Sequence, residues 1–253
     1  MTLLMVAVSR NAVAVASDSL WVEVDANGVP NASRTGVRKT FAGPAVVTGM
    51  AGTADTPAGS LLSLVEALAT HATDVPHAVR ALNETTRATM PHAIAAWRRS
   101  VRPSTPVNAF ATVVAGGLHP TPHAVVLQPT TEQGHWATVG QPLLAGPTET
   151  DIAAFGTIPD AAGRYCGGWL DVEAGRIIDA LSRGQEPPPF PTRHAPVPAT
   201  ASAVELEAHL RKAIADGLAD DNGIVAAPGW PPTQPLIGGA AQSVSIEGVE
   251  GVR

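Results

Sequence analysis

Two short runs at the start of the chain, Leu3-Leu4-Met5-Val6-Ala7-Val8 and Ala12-Val13-Ala14-Val15-Ala16, constrain the fold more than any other stretch. Each has the length of a strand and is apolar at odd and even positions alike. A strand with one wet face alternates apolar with polar residues, so a sheet built from these two must be covered on both faces. Ser9-Arg10-Asn11 supplies the turn between them, and Ser17-Asp18-Ser19 ends the second run. Aromatic residues are only 4% of the chain, so the covering core has to be assembled from Ala, Val and Leu.

The polar stretch from Val24 to Gly36 contains Asn27-Gly28 and reads as a turn or extended hairpin loop. Residues 45–50 give another short strand. From Thr56-Pro57 the period changes: Leu61, Leu64, Val65 and Leu68 fall on one helical face, with Pro57 expected in the first turn. A second helical region covers 76–97, where Pro91 either kinks the helix or starts a new one, and Pro103 to Pro106 end this layer. Strands at Val107–Ala115, His123–Gln128 and His135–Val139, with turns at Gly116-Gly117 and Thr130–Gly134, make an antiparallel meander.

Residues 148–183 read as helical in parts, notably Val172–Leu181. Six prolines between Gln185 and Thr200 predict a stiff surface arm rather than core. Ser202 and Glu205 have the spacing of a capping box and open a helix to about Gly217, with Leu206, Leu210 and Ile214 on one face. A Pro- and Gly-rich loop over 224–237, the pair Gly238-Gly239 and a final strand to about Ile246 close the chain. Helical layers laid on sheets give an α+β class. The expected organisation is one domain over 2–253, with 185–200 and 224–237 as insertions.

Composition excludes several functions. A net charge of −6 gives no electrostatic case for nucleic acid or an anionic membrane. No apolar run reaches the 18 or so residues that span a bilayer, and no basic n-region marks a signal peptide. Cys166 is the single cysteine and has no internal disulfide partner, so a cytoplasmic location is expected. His119 and His123 stand four apart, but the prolines between them make a loop, and no carboxylate or Cys is spaced to complete a metal site. There is no Gly-x-Ser-x-Gly elbow and no Gly-rich phosphate loop. No cofactor is expected.

The order Thr2, Asp18, Val37-Arg38-Lys39-Thr40-Phe41, then Ala51-Gly52-Thr53-Ala54-Asp55, resembles the start of a proteasome-type β-subunit, a family that includes the bacterial heat-shock peptidase and ancestral β-type relatives. Asp18 follows Thr2 by 16 residues, the family's separation, and Lys39 is one of only two lysines. The middle strands, Val113-Val114-Ala115-Gly116, Val125-Val126-Leu127-Gln128-Pro129 and Ala137-Thr138-Val139-Gly140, are similar to the family's as well. The resemblance implies a four-layer α-β-β-α sandwich of two antiparallel sheets between helical layers, the fold of N-terminal-nucleophile hydrolases. It also implies a threonine-type peptidase or amidohydrolase. Removal of Met1 frees the Thr2 amine, whose ordinary pKa of about 7.7–8 suits a general base for its own hydroxyl. Gly52 matches the oxyanion-hole position, while Lys39 and Asp18 tune and orient the nucleophile.

The pattern also departs from the family. Gln141 stands where a Ser is usual, and Leu20 replaces an Arg two positions after the Asp. The late acidic residue of the family has two candidates, Asp220 and Asp221. These departures keep two alternatives open: a non-catalytic scaffold or binding subunit that retains Met1, and an acyl or peptidyl transferase on the same fold. The implied partners are a peptide or small amide substrate and further copies of the chain, rings included. The resemblance leaves an ATPase or other partner open.

Overall fold

The computed structural model describes residues 3–24, 30–53, 55–56, 59–99, 107–156, 197–219 and 238–248. In chain order the strands are β1 Leu3–Val8, β2 Ala12–Ser17, β3 Trp21–Val24, β4 Pro30–Arg34, β5 Thr40–Ala42, β6 Val46–Gly52, β7 Asp55–Thr56 and β8 Gly59–Ser60. Three helices follow, α1 Leu61–His71, α2 Val75–Thr86 and α3 Met90–Arg98. Then come β9 Ala111–Gly117, β10 His123–Pro129, β11 Trp136–Thr138, β12 Leu143–Leu144, β13 Asp151–Gly156, α4 Ala203–Ala219 and β14 Gln242–Glu247. The class is α+β.

Two antiparallel sheets dominate. The first has the order β13-β1-β2-β14, and the second β11-β10-β9-β6-β5 with β12 beside β10. The doubly apolar runs explain how they are covered. Leu3, Met5, Ala7, Ala12, Ala14 and Ala16 form one buried cluster with Leu206, Leu210 and Ile214 of α4. Leu4, Val6, Val8, Val13 and Val15, pointing the other way, cluster with Val47, Ala51, Val114, Ala124 and Val126 of the second sheet. The opposite face of that second sheet carries Val46, Met50, Val113 and Leu127, which pack with Leu61, Val65, Leu82 and Ile94 of α1, α2 and α3.

Close approach of the two sheets depends on Gly49 in β6. A Cβ there would lie 2.7 Å from Val15 Cγ1 and 2.8 Å from Leu4 Cδ1, so any side chain would push the sheets apart.

Several local expectations need correction. Helix α1 begins at Leu61, not at Pro57, because Ser60 caps it by accepting the Ser63 N–H. Residues 107–109 form a short 3-10 turn, and the strand expected there starts at Ala111. Gly116 and Gly117 are strand residues rather than a turn, since β9 lies between β6 and β10 and both glycines pair on each side. Asp151–Gly156, expected within a partly helical stretch, is a strand paired along the whole of β1.

The end of the proline-rich segment is not a surface arm. Val197 and Ala199 are buried, Thr150 N–H bonds Val197 C=O, and Arg10 N–H bonds Ala199 C=O. Pro91 does start a new helix, α3. The Ser202–Glu205 box forms as expected: Ser202 N–H reaches Glu205 Oε2 at 2.8 Å. Val172–Leu181, Cys166, residues 185–196 and the 224–237 loop lie outside the described residues.

Candidate functional site

Asp18 follows directly on β2, and its backbone is tied back to the first strand: Asp18 N–H donates to Leu3 C=O at 3.1 Å. Its carboxylate is fully buried and takes four hydrogen bonds. Oδ1 accepts the Leu3 N–H (2.9 Å) and Lys39 Nζ (3.2 Å). Oδ2 accepts the N–H groups of Leu20 and Gly238, both at 3.2 Å. The carboxylate therefore holds the backbone N–H of Leu3 at the start of β1, the turn after β2, and the approach to β14. Thr2 itself lies outside the described residues, as do Asp220 and Asp221, which follow α4.

Lys39 precedes β5 and brings the second sheet to the same place. Its backbone C=O accepts the Met50 N–H at 3.1 Å, and its ammonium also donates to Leu20 C=O. The side chain is 4% exposed, and burial lowers the Lys39 pKa from its ordinary 10.5, while the Asp18 charge and hydrogen bond work against that fall. A lysine so placed is a compact, poorly hydrated cation whose neutral form is easier to reach than on a surface.

Gly52 ends β6 in a left-handed conformation, φ +98°, and a Cβ there would meet Phe110 C=O at 2.6 Å and Ala111 Cα at 2.8 Å. Only glycine fits. Thr53 N–H bonds Phe110 C=O at 2.8 Å, which makes Gly52–Ala111 a non-hydrogen-bonded pair of the β6–β9 ladder. In such a pair the N–H points away from the partner strand, here to the β5 side, where Lys39 runs beside Met50.

The structure thus joins Asp18 to Lys39 and sets Gly52 two residues beyond Lys39's backbone partner. It adds contacts that sequence reasoning missed. Gly238 N–H belongs to the Asp18 cluster, and Ser19 Oγ accepts the N–H groups of Gly36 (3.3 Å) and Ala240 (2.9 Å). The Gly238-Gly239 pair was visible as a break before the last strand, but nothing in the sequence tied it to Asp18. Of the two departures, Leu20 is buried and contributes its carbonyl to Lys39, whereas Gln141 is exposed on the turn after β11.

His123 Nδ1 lies 2.8 Å from Thr121 C=O. Among the described residues His, Cys, Asp and Glu do not gather in groups of three that could hold a metal, and no helix is long and apolar enough to cross a membrane. Compared with protein-family models and with curated proteins, the chain matches none.

Proposed function

We propose that this chain is an N-terminal threonine hydrolase of the proteasome β type, which cleaves an amide bond through a Thr2 acyl-enzyme. The observation that carries this reading is the buried Asp18 carboxylate, which grips the Leu3 N–H and Lys39 Nζ on one oxygen at the start of the chain. Clamping the peptide unit after Thr2 restricts where the Thr2 hydroxyl and amine can go. Positioning of that kind removes much of the entropic part of a barrier. The three core clusters, helix on sheet, sheet on sheet and sheet on helices, support the four-layer α-β-β-α sandwich expected of such a hydrolase.

In the proposed reaction, Thr2 Oγ attacks the substrate carbonyl and its proton passes to the Thr2 α-amine. The developing oxyanion is held by Gly52 N–H. The Lys39 ammonium lowers the cost of negative charge at the hydroxyl, and Asp18 keeps that ammonium in place. The protonated amine then gives its proton to the leaving amine, and water cleaves the ester. Asp220 or Asp221 supplies the late acid that orients the amine. Peptides or small amides in the cytoplasm are the substrates, and the protein works as a homo-oligomer.

Exposed Gln141 favours one other reading, a non-catalytic member of the same fold, because the usual Ser would complete the hydrogen bonds around the amine.

The deciding experiment is the intact mass of untagged protein, followed by treatment with a threonine-directed covalent inhibitor. Loss of one methionine and a single adduct on Thr2 are expected. Retention of Met1, in cells able to remove it, would leave no free amine and would hand the fold to the scaffold reading.

A further inference from the structure

Two arginines flank the candidate site with no anionic partner among the described residues. Asp18, Ser19 and Leu20 lead straight into Trp21 of β3, and the segment from Arg34 to Lys39 runs back along them. Gly36 N–H bonds Ser19 Oγ at 3.3 Å, Val37 N–H bonds Ser19 C=O at 3.1 Å, and Lys39 Nζ bonds Leu20 C=O. Arg34 and Arg38 stand on this returning segment, and both are exposed. The Arg34 guanidinium lies 5.2 Å from the centre of the Trp21 ring, its cross-strand partner. The Arg38 guanidinium lies 5.3 Å from the centre of the buried Phe41 ring, and its Nε–H bonds Thr40 C=O at 3.0 Å. Trp21 packs against the core cluster that contains Phe41, so both cations lie over rings of the same apolar cluster.

Neither arginine forms an ion pair with the described residues. Glu23, two residues beyond Trp21 in β3, is the carboxylate on the same hairpin face, and it pairs in register with Ala32 rather than with Arg34. Asp18 is taken up by Lys39 and three backbone N–H groups. Acidic residues outnumber basic ones 22 to 16 in this chain, yet among the described residues no carboxylate pairs with either arginine. Stacking on a ring holds a guanidinium's plane while leaving its outer N–H groups free to take a carboxylate side on.

We propose that Arg34 and Arg38 bind a carboxylate of the substrate, so that the peptides this site takes are acidic, with an Asp or Glu side chain beside the amide to be cleaved. The proposal rests on the hydrolase reading for the cleavage but not for the binding.

The test uses end-blocked peptides that differ only by Glu or Gln at one position, and a third peptide that is neutral but has a free C-terminal carboxylate. Binding is measured on the full-length Thr2→Ala protein, where no acyl-enzyme can form, and cleavage on the wild type. The Glu peptide should bind about tenfold more tightly than its Gln isostere, the scale of one charge-assisted hydrogen bond. That ratio should fall towards one in Arg34→Gln/Arg38→Gln, whose thermal unfolding is checked alongside because both side chains are exposed.

A ratio near one in the parent protein, or an undiminished ratio in the double variant, would overturn the proposal. A preference for the C-terminal carboxylate over the Glu side chain would overturn the side-chain assignment. Acid-selective binding without any cleavage would sink the hydrolase reading and leave the carboxylate site standing. Cleavage of Glu and Gln peptides at equal rates would do the reverse.

Discussion

Asp18 has a donor on every face of its carboxylate, two on each oxygen. Asn at this position can accept on one oxygen only, so its amide N–H₂ would be aimed at two donors with no acceptor between them. Asp18→Asn should therefore destabilise by about 3–5 kcal/mol, the range for breaking a buried ion pair from one side, as read by urea unfolding. Lys39→Met removes the cation but leaves three N–H groups on the carboxylate, so a smaller loss is expected. The two variants should also differ in pH dependence. Lys39 has a folded pKa below its ordinary 10.5. Below the folded value both states hold the proton, and between the two values the unfolded chain holds more of it, so stability rises with pH up to about 10.5. Unfolding curves of wild type and Lys39→Met at stepped alkaline pH should diverge in the wild type's favour across that window. A constant gap would mean that burial does not penalise the ammonium. At Gly52 the φ of +98° and the absence of room for a Cβ make Gly52→Ala a test of the oxyanion role. A loss in kcat of about 10²-fold or more is expected, with a stability cost of about 1–3 kcal/mol that thermal unfolding separates from it.

At the scale of elements, α2 is fastened to the edge of the second sheet by polar side chains as well as by its apolar face. Asn83 accepts the Trp136 N–H at 3.0 Å and donates to Trp136 C=O at 3.1 Å, reproducing a strand partner at the edge strand β11. Trp136 Nε1–H bonds Thr86 Oγ1 one turn further along. Asn83→Ala should cost about 1–3 kcal/mol by leaving backbone groups of β11 unpaired, and Asn83→Asp should not rescue it, because a carboxylate cannot donate to the carbonyl. Amide exchange at Trp136 is the local readout. Other elements show why sequence reading succeeded in some places and not in others. Strands β1 and β2 were legible because fifteen consecutive positions, broken only by a polar turn, have the composition of a doubly covered sheet, and α1 because its apolar residues recur on one face. Strand β13 was not: Ile152-Ala153-Ala154-Phe155 suits either a helix or a strand, and the choice was made by an open edge of β1 more than a hundred residues away. Asp18 and Lys39 were visible as candidates through their spacing, whereas the Gly238 contact depends on a chain separation of 220 residues and leaves no local mark.

At the scale of the whole molecule, the question is whether the two sheets unfold as one body. Five residues of β1 and β2 meet five of the second sheet in a buried layer, with Val15 fully buried near its middle and against Gly49. Neither sheet can keep that face apolar without the other, because exposing it would return Leu4, Val6, Val8, Val13 and Val15 to water together with their partners. The site inherits this dependence. Asp18 directly follows a strand of the first sheet and Lys39 directly precedes a strand of the second, so their 3.2 Å contact exists only while the sheets stay together. Val15→Ala should therefore cost roughly 2 kcal/mol, between the values for losing one methyl group and a whole large side chain. The loss should appear equally in the slowest-exchanging amides of β2 and of β9, since both would open only through global unfolding. Hydrogen exchange followed by mass spectrometry on both strands distinguishes the alternatives. If β2 loosens while β9 keeps its protection, the sheets are separate cooperative units and the Asp18–Lys39 pair is a contact between them rather than a feature of one core. Equal loss places the buried pair inside a single unit, and any substitution in the layer between the sheets should then weaken the site from a distance.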